Sequence, residues 1–219
     1  MGTGTPRALF IALAALVALG VIGGLIWGAT VLQPPLWLYP AAFVLVFLFY
    51  ANTLSERVPL YLTNRTTWAA LAQVLDDASL IQEGLLHARV PQEKRPAFVD
   101  LGCGLGGTLA YLARAQPGWD VVGVETAPGP YLIAKARTAF LPNARVRFQS
   151  LWKTDLAAFD VVYAFLSPAP MPRLHAKAAT EMRPGSLFVS NSFWADDQPY
   201  DGVIEVNDSR STRLMYKKI

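Results

Sequence analysis

The sequence predicts an α/β fold: a seven-stranded Rossmann-like sheet closing in a C-terminal antiparallel hairpin, preceded by an N-terminal transmembrane helical hairpin. Three observations predict it. The run Phe98-Val99-Asp100-Leu101-Gly102-Cys103-Gly104-Leu105-Gly106-Gly107 reads as a buried strand, a glycine-rich turn and the start of a helix. Beyond it, strand-like and helix-like stretches alternate, a pattern that builds a parallel sheet. At the other end of the chain, Arg7 is the only charged side chain between Met1 and Ser55.

The anchor comes first. The chain has 219 residues, enough for one ordinary domain plus an accessory segment. Hydrophobic residues make up 53% and charged residues 16%, too apolar for a typical soluble protein. Ala8 to Leu32 is uncharged and long enough to cross a hydrocarbon layer about 30 Å thick as a helix. Gln33-Pro34-Pro35 breaks the run, and residues 36–51 are apolar again. Trp27, Trp37 and Tyr39 cluster at the break and Tyr50 lies at the far end, as aromatic belts do. A hairpin with Pro34-Pro35 on the far side leaves Arg7, Arg57 and Arg65 together on the cytoplasmic side. Segments 8–32 and 36–51 thus make an anchor of residues 1–55, in which Gly20, Gly24 and Gly28 allow the two helices to pack closely. A cleaved signal peptide fits less well, because the apolar run is too long and a second follows directly.

Residues 56–96 read as a helical cap and linker. Asn64 to Thr67 supplies helix-capping chemistry, and Trp68, Leu71, Val74, Leu75 and Ala78 then recur on one helical face. Leu80 to Ala88 continues as helix, and residues 91–96 form a charged linker. Residues 97–219 form the third domain. Strands are expected at 97–101, 120–124, 145–149, 161–166 and 186–190, with helices at 108–115, 130–140 and 174–182. A hairpin of residues 202–206 and 213–217 closes the chain. Ser150 to Phe159 and Ser192 to Asp201 are too short for full covering helices, so one face of the sheet is expected to be thinly covered.

The glycine loop carries the chemistry. Gly102, Gly104 and Gly107 satisfy G-x-G-x-x-G, a dinucleotide fingerprint that is weak when taken alone. Asp100, Gly102, Gly104 and Gly106 also fit the acid-first loop of class I S-adenosyl-L-methionine (SAM) methyltransferases. The acid separates the two: a carboxylate at the strand end repels a pyrophosphate but suits the sulfonium and ammonium of SAM. Glu125 ends the second strand, where an acid reaches ribose hydroxyls. An antiparallel hairpin after five parallel strands is likewise the methyltransferase arrangement. SAM is therefore the expected cofactor, held by Asp100, Gly102, Gly104, Gly106 and Glu125.

Other functions have less support. The net charge of +3 forms no basic stripe, which argues against nucleic acid but suits an anionic membrane surface. Cys103 is the only cysteine, so no internal disulfide forms, and its small size suits the loop. His87 and His175 are the only histidines and show no metal-ligand spacing, so no metal is expected.

From Tyr61 onward the chain resembles a family of small membrane-anchored class I methyltransferases. These are bacterial proteins and mitochondrial lysine methyltransferases of the ATP synthase c-subunit or the adenine nucleotide carrier. The resemblance rests on Tyr61-Leu62-Thr63-Asn64-Arg65-Thr66-Thr67, Val99-Asp100-Leu101-Gly102-Cys103-Gly104 and Val122-Gly123-Val124-Glu125. Ser150-Leu151-Trp152-Lys153, Phe165-Leu166-Ser167-Pro168 and Arg183-Pro184-Gly185 extend it. It implies that Asp100 and the loop glycines hold the methionine end of SAM and Glu125 the ribose. Ser150 and Leu151 replace the acid this family usually carries for adenine, and Trp152 offers a stacking surface instead.

The resemblance also implies an acceptor: a lysine on an integral membrane protein beside the lipid bilayer. The catalytic domain would then lie on the cytoplasmic side of a bacterial inner membrane, or in the matrix at the mitochondrial inner membrane. The alternatives are a membrane-partitioned small-molecule acceptor, such as a lipid or quinone-like phenol, and a non-catalytic SAM-binding protein. In-line displacement from a sulfonium can rest on alignment, so no catalytic residue is assigned. Tyr61 and Ser167-Pro168 are the substrate-side candidates, with a packed tyrosine and a plain turn as the simpler reading of each. On this division, removing the anchor leaves cofactor binding intact.

Overall fold

The computed structural model describes residues 20–24, 27, 35–56, 60–77, 95–195 and 198–219. The chain divides into two units, Met1–Leu45 and Val46–Ile219. In the first, residues 20–24 are helical and exposed, and a Cβ built on Gly20 or Gly24 meets nothing within 4 Å. The close helix packing expected at these glycines is thus not formed among the described residues.

The expected transmembrane hairpin is not supported either. Most of segment 8–32 lies outside the described residues, as does the expected helix from Leu80 to Ala88. Segment 36–51 contributes to a helix, α1 (Leu38–Glu56). Among the described residues no helix is long and apolar enough to cross a membrane.

In the second unit the alternation expected from the sequence becomes a seven-stranded mixed sheet. After α2 (Arg65–Asp76) come β1 (Ala97–Leu101), α3 (Gly107–Ala115), β2 (Asp120–Glu125), α4 (Pro128–Thr138) and β3 (Ala144–Phe148). Then follow β4 (Val161–Ala164), α5 (Met171–Glu181), β5 (Leu187–Asn191), β6 (Gly202–Glu205) and β7 (Arg213–Lys218). The strand order is β3-β2-β1-β4-β5-β7-β6. β1 to β5 pair in parallel, whereas β7 runs antiparallel between β5 and β6. The order reverses beside β1, the switch point where an open α/β sheet leaves a crevice at its C-terminal edge.

Both faces of the central strands are buried, which is why β1 and β4 are almost continuously apolar and β5 begins Leu187-Phe188-Val189. On one face Phe98, Val121, Val161, Leu187 and Val189 pack under α2 and α3 through Leu71, Val74, Leu109 and Leu112. On the other face Val99, Leu101, Val122, Val162 and Phe188 meet Met171 and Leu174 of α5. The short connection after β3 forms two 3₁₀ turns, Leu151–Lys153 and Leu156–Ala158, and Leu156 and Phe159 complete that second core. His175 is a core residue there, with its ring 4.1 Å from Trp194 and 5.0 Å from Phe188, both edge-on.

Polar ties hold the ends of the sheet. Asp160 accepts from the Ala97 backbone N–H at 2.7 Å and pairs with Arg183 at 2.8 Å, which fixes β1, β4 and the turn before β5 together. Asn64 caps α2 by accepting from Thr67 N–H at 2.9 Å. Its amide donates to Asp208 in the β6–β7 turn at 2.7 Å, while Arg210 donates to the Leu62 carbonyl at 3.1 Å. The segment entering α2 is thereby tied to the last hairpin.

Candidate cofactor site

One cavity of about 290 Å³ opens at the C-terminal edge of β1, β2 and β4. Its floor is the glycine loop. Gly102, Gly104 and Gly106 have φ of +81°, +53° and +70°, conformations that side chains rarely adopt. Gly106 is further constrained, since a Cβ there would lie 2.8 Å from the Ala134 Cβ and 2.9 Å from its Cα. Only glycine lets α3 start this close to α4. Gly107, the last glycine of the dinucleotide fingerprint, is already the first residue of α3.

The two acids sit differently. Glu125, at the end of β2, is held by three backbone donors: Thr126 and Ala127 N–H reach Oε1 at 2.7 and 2.8 Å, and Gly104 N–H reaches Oε2 at 3.0 Å. This one carboxylate ties the glycine loop to the turn after β2. Asp100 lies opposite Gly123 of β2 and Tyr163 of β4 in the sheet register, 3% exposed, and makes no hydrogen bond to a described residue. Burial, with the neighbouring Glu125 charge second, pushes its carboxyl up to about 8. A buried acid that faces a cavity without an internal partner is suited to a cationic ligand group. The residues present therefore fit SAM. Asp100 and Glu125 offer negative charge to its cations and hydroxyls, and Arg137 is the only cation among the described residues that line the cavity.

The remaining wall comes from scattered parts of the chain. Leu60 to Thr63 cross over the loop, and a Cβ on Gly104 would meet Leu60 Cδ1 at 2.9 Å. Trp68 Nε1 donates to Thr63 Oγ1 at 2.6 Å, and Thr63 meets Thr108 Oγ1 at 3.2 Å. Tyr61 stacks on Phe165 at 4.9 Å and lies 5.8 Å from Phe193, making an aromatic cluster beside the cavity. After β4, Phe165 and Leu166 line the cavity, while Ser167 is buried beside it and is not part of the lining. Tyr163 presents its buried ring and accepts from Asn191 Nδ2 at 3.0 Å.

Several residues go elsewhere than the sequence suggests. Trp152, the expected stacking surface, has the Arg173 guanidinium 3.9 Å from its ring centroid, and Leu151 lines the cavity. Phe49, on the anchor side of the expected boundary at Ser55, also lines it, so an anchor deletion ending at Ser55 removes part of the wall. Nothing in the local sequence around Phe49 signals this. Cys103 lines the cavity too, but burial and the Asp100 and Glu125 charges push its thiol well up, so it stays protonated and unreactive.

Comparison with known proteins agrees with this architecture. Residues 100–200 match the family model described as the ANTKMT methyltransferase domain. Trans-aconitate 2-methyltransferase of Deinococcus radiodurans is 34% identical over 105 residues, covering 47% of this chain and 40% of that protein. The secondary metabolism regulator laeA of Aspergillus fumigatus is 32% identical over 111 residues, covering 49% of this chain and 29% of that one. The chain thus spans less than half the length of these curated relatives. The crystal structure of an RNA methyltransferase from Salinibacter ruber in complex with S-adenosyl-L-homocysteine superposes with a TM-score of 0.57. It is 20% identical and covers 73% of this chain and 94% of its own. The chain thus has the fold of that methyltransferase, and its residues 100–200 resemble the ANTKMT methyltransferase domain.

Proposed function

We propose that this protein binds SAM and transfers its methyl group to a lysine amine on a membrane protein. The observation that carries the cofactor reading is the buried carboxyl of Asp100, which makes no hydrogen bond to a described residue, in a cavity that also holds Glu125 and Arg137. The bound cofactor supplies an electrophilic methyl group. The chain supplies alignment: the glycine loop and Asp100 hold the amino-acid end, and Glu125 holds the ribose. Proton removal from the acceptor falls to solvent, because Cys103 and Tyr163 are both pushed up by burial and cannot serve as bases at neutral pH.

The acceptor side is read from two features. Tyr61, Phe165 and Phe193 give an aromatic approach that suits an alkyl-ammonium chain losing its water. In α1, Phe43 is 71% exposed and Val44, Leu45, Val46 and Phe47 are all more than half exposed, which suits a lipid surface. The proposed setting is the cytoplasmic face of a bacterial inner membrane, with the matrix face of a mitochondrial inner membrane as the equivalent. The sequence resemblance to membrane-anchored lysine methyltransferases supports lysine as the acceptor type. A membrane-partitioned small molecule is the second reading, favoured by the same aromatic cluster.

Incubating native membranes with methyl-labelled SAM separates the two. Label that runs with a protein band and maps to lysine supports the proposal, and label found only in the lipid extract replaces it with the second reading. A full-length protein that binds neither SAM nor its demethylated product would overturn the cofactor assignment itself.

A further inference from the structure

We infer that Phe49 of α1 is part of the cofactor pocket, covering its adenosine end, so the apolar helix α1 is a component of the binding site. The inference rests on the SAM reading above and adds a ligand-contacting residue from outside the nucleotide-binding fold.

Two observations carry it. The Phe49 ring lines the same cavity as Glu125, Thr126, Ala127 and Pro130. These surround the acid that ends β2, where the ribose and base of a nucleoside cofactor lie in a sheet of this topology. Second, α4 is shaped to receive the ring. A Cβ on Gly129 would come 2.9 Å from Phe49 Cδ2 and Cε2 and 3.3 Å from the Leu48 carbonyl oxygen. Gly129 is the second residue of α4, where alanine is sterically acceptable to the helix itself, so the glycine answers to α1. No acid follows the third strand for the base to use, since Ser150 and Leu151 stand there. With Trp152 turned to Arg173, an apolar ring from α1 supplies a flat surface in the cavity that Leu151 of the strand loop does not.

A double-mutant cycle tests this on the full chain, reading S-adenosylhomocysteine affinity by calorimetry. Phe49→Ala removes the ring and weakens binding about tenfold, as loss of a buried aromatic contact implies. Gly129→Ala replaces no residue that lines the pocket but displaces the Phe49 ring, and it weakens binding by a similar factor. The double variant binds no more weakly than Phe49→Ala alone, because the new methyl group then has no ring to displace. Phe49→Leu keeps apolar bulk and falls between the two extremes. Unchanged affinity in Phe49→Ala, or losses that add in the double variant, would overturn the inference. Wild-type protein that binds no S-adenosylhomocysteine overturns the cofactor reading instead, so the two failures are distinct.

Discussion

The cavity has two sides, built in different ways. The polar groups of the cofactor side come from one continuous stretch, β1 to the start of α4, with Asp100, the glycine loop and Glu125 within 26 residues of chain. Its defining contacts are from one carboxylate to backbone N–H groups nearby in sequence. The aromatic side brings together Tyr61, Phe165 and Phe193, with Asn64 tied to Asp208, 144 positions away. One side is a local motif held by obligatory backbone donors, and the other exists only once the sheet has closed. Ligand chemistry is therefore specified locally, while access to it depends on the whole domain.

The sharpest way to break the comparison is at Glu125. Glu125→Ala removes charge-assisted bonds worth ~1.5–3 kcal/mol each, and SAM affinity should fall about tenfold to a hundredfold. Glu125→Gln, which keeps one acceptor oxygen, should lose less. Calorimetry that finds the alanine variant binding like wild type would remove Glu125 from the cofactor site.

On the other side the effects should separate binding from turnover. Phe165→Ala opens the cluster shared with Tyr61 and Phe193, and methylation of a limiting acceptor should fall about tenfold. SAM affinity should stay within about twofold of wild type. A loss of SAM affinity as large as the loss of methylation would merge the two sides into one.

Asn64→Ala sharpens the comparison through stability. It removes the α2 cap and the bond to Asp208, and the cap alone contributes about 1 kcal/mol. Thermal unfolding should shift down by a few degrees, about what that energy implies for a domain of this size. The tie also holds Leu60 to Thr63 over the glycine loop, so methylation should suffer more than unfolding of the sheet. An unchanged melting temperature would show that this tie holds nothing.

The smallest effect is a proton. Asp100 sits at about 8 in the free protein against an ordinary value of 3.8, so at pH 7 it is mostly neutral. A cationic ligand favours the ionised form, so binding at pH 7 should release somewhat less than one proton and tighten as pH rises toward 8. For the free protein the sign is opposite. A raised carboxyl stabilises the fold fully below its unfolded value, and that contribution is lost as pH rises through about 8. Calorimetry in two buffers of different ionisation heat reads the release, and melting from pH 5 to 9 reads the stability. Asp100→Asn should abolish the release and flatten the melting profile relative to wild type. Proton release that persists in Asp100→Asn would place the titration elsewhere.

The strands and helices of the sheet were legible in the sequence because their signals are local. Each central strand is a short run of β-branched and apolar residues, and each turn carries glycine, proline or a capping side chain. The hairpin that ends the sheet was legible as alternation around Asn207-Asp208-Ser209-Arg210-Ser211, and the α2 cap as Asn64. The acid-first glycine loop could be read as a motif because its function depends on backbone geometry that only glycine supplies.

Tertiary structure decided the rest. Asp100 becomes a neutral, ligand-seeking acid only when β2 and β4 close around it and Glu125 is brought alongside, since desolvation is a property of the packed sheet. Phe49, in a stretch that reads as uniform apolar anchor, acquires a distinct place from Gly129, 80 positions further on. Trp152 reads as a stacking surface and is turned instead to Arg173. Sequence determines what the backbone can do over a few residues. Which side chains meet across the cavity is set by closure of the sheet, because those contacts join segments with no local coupling.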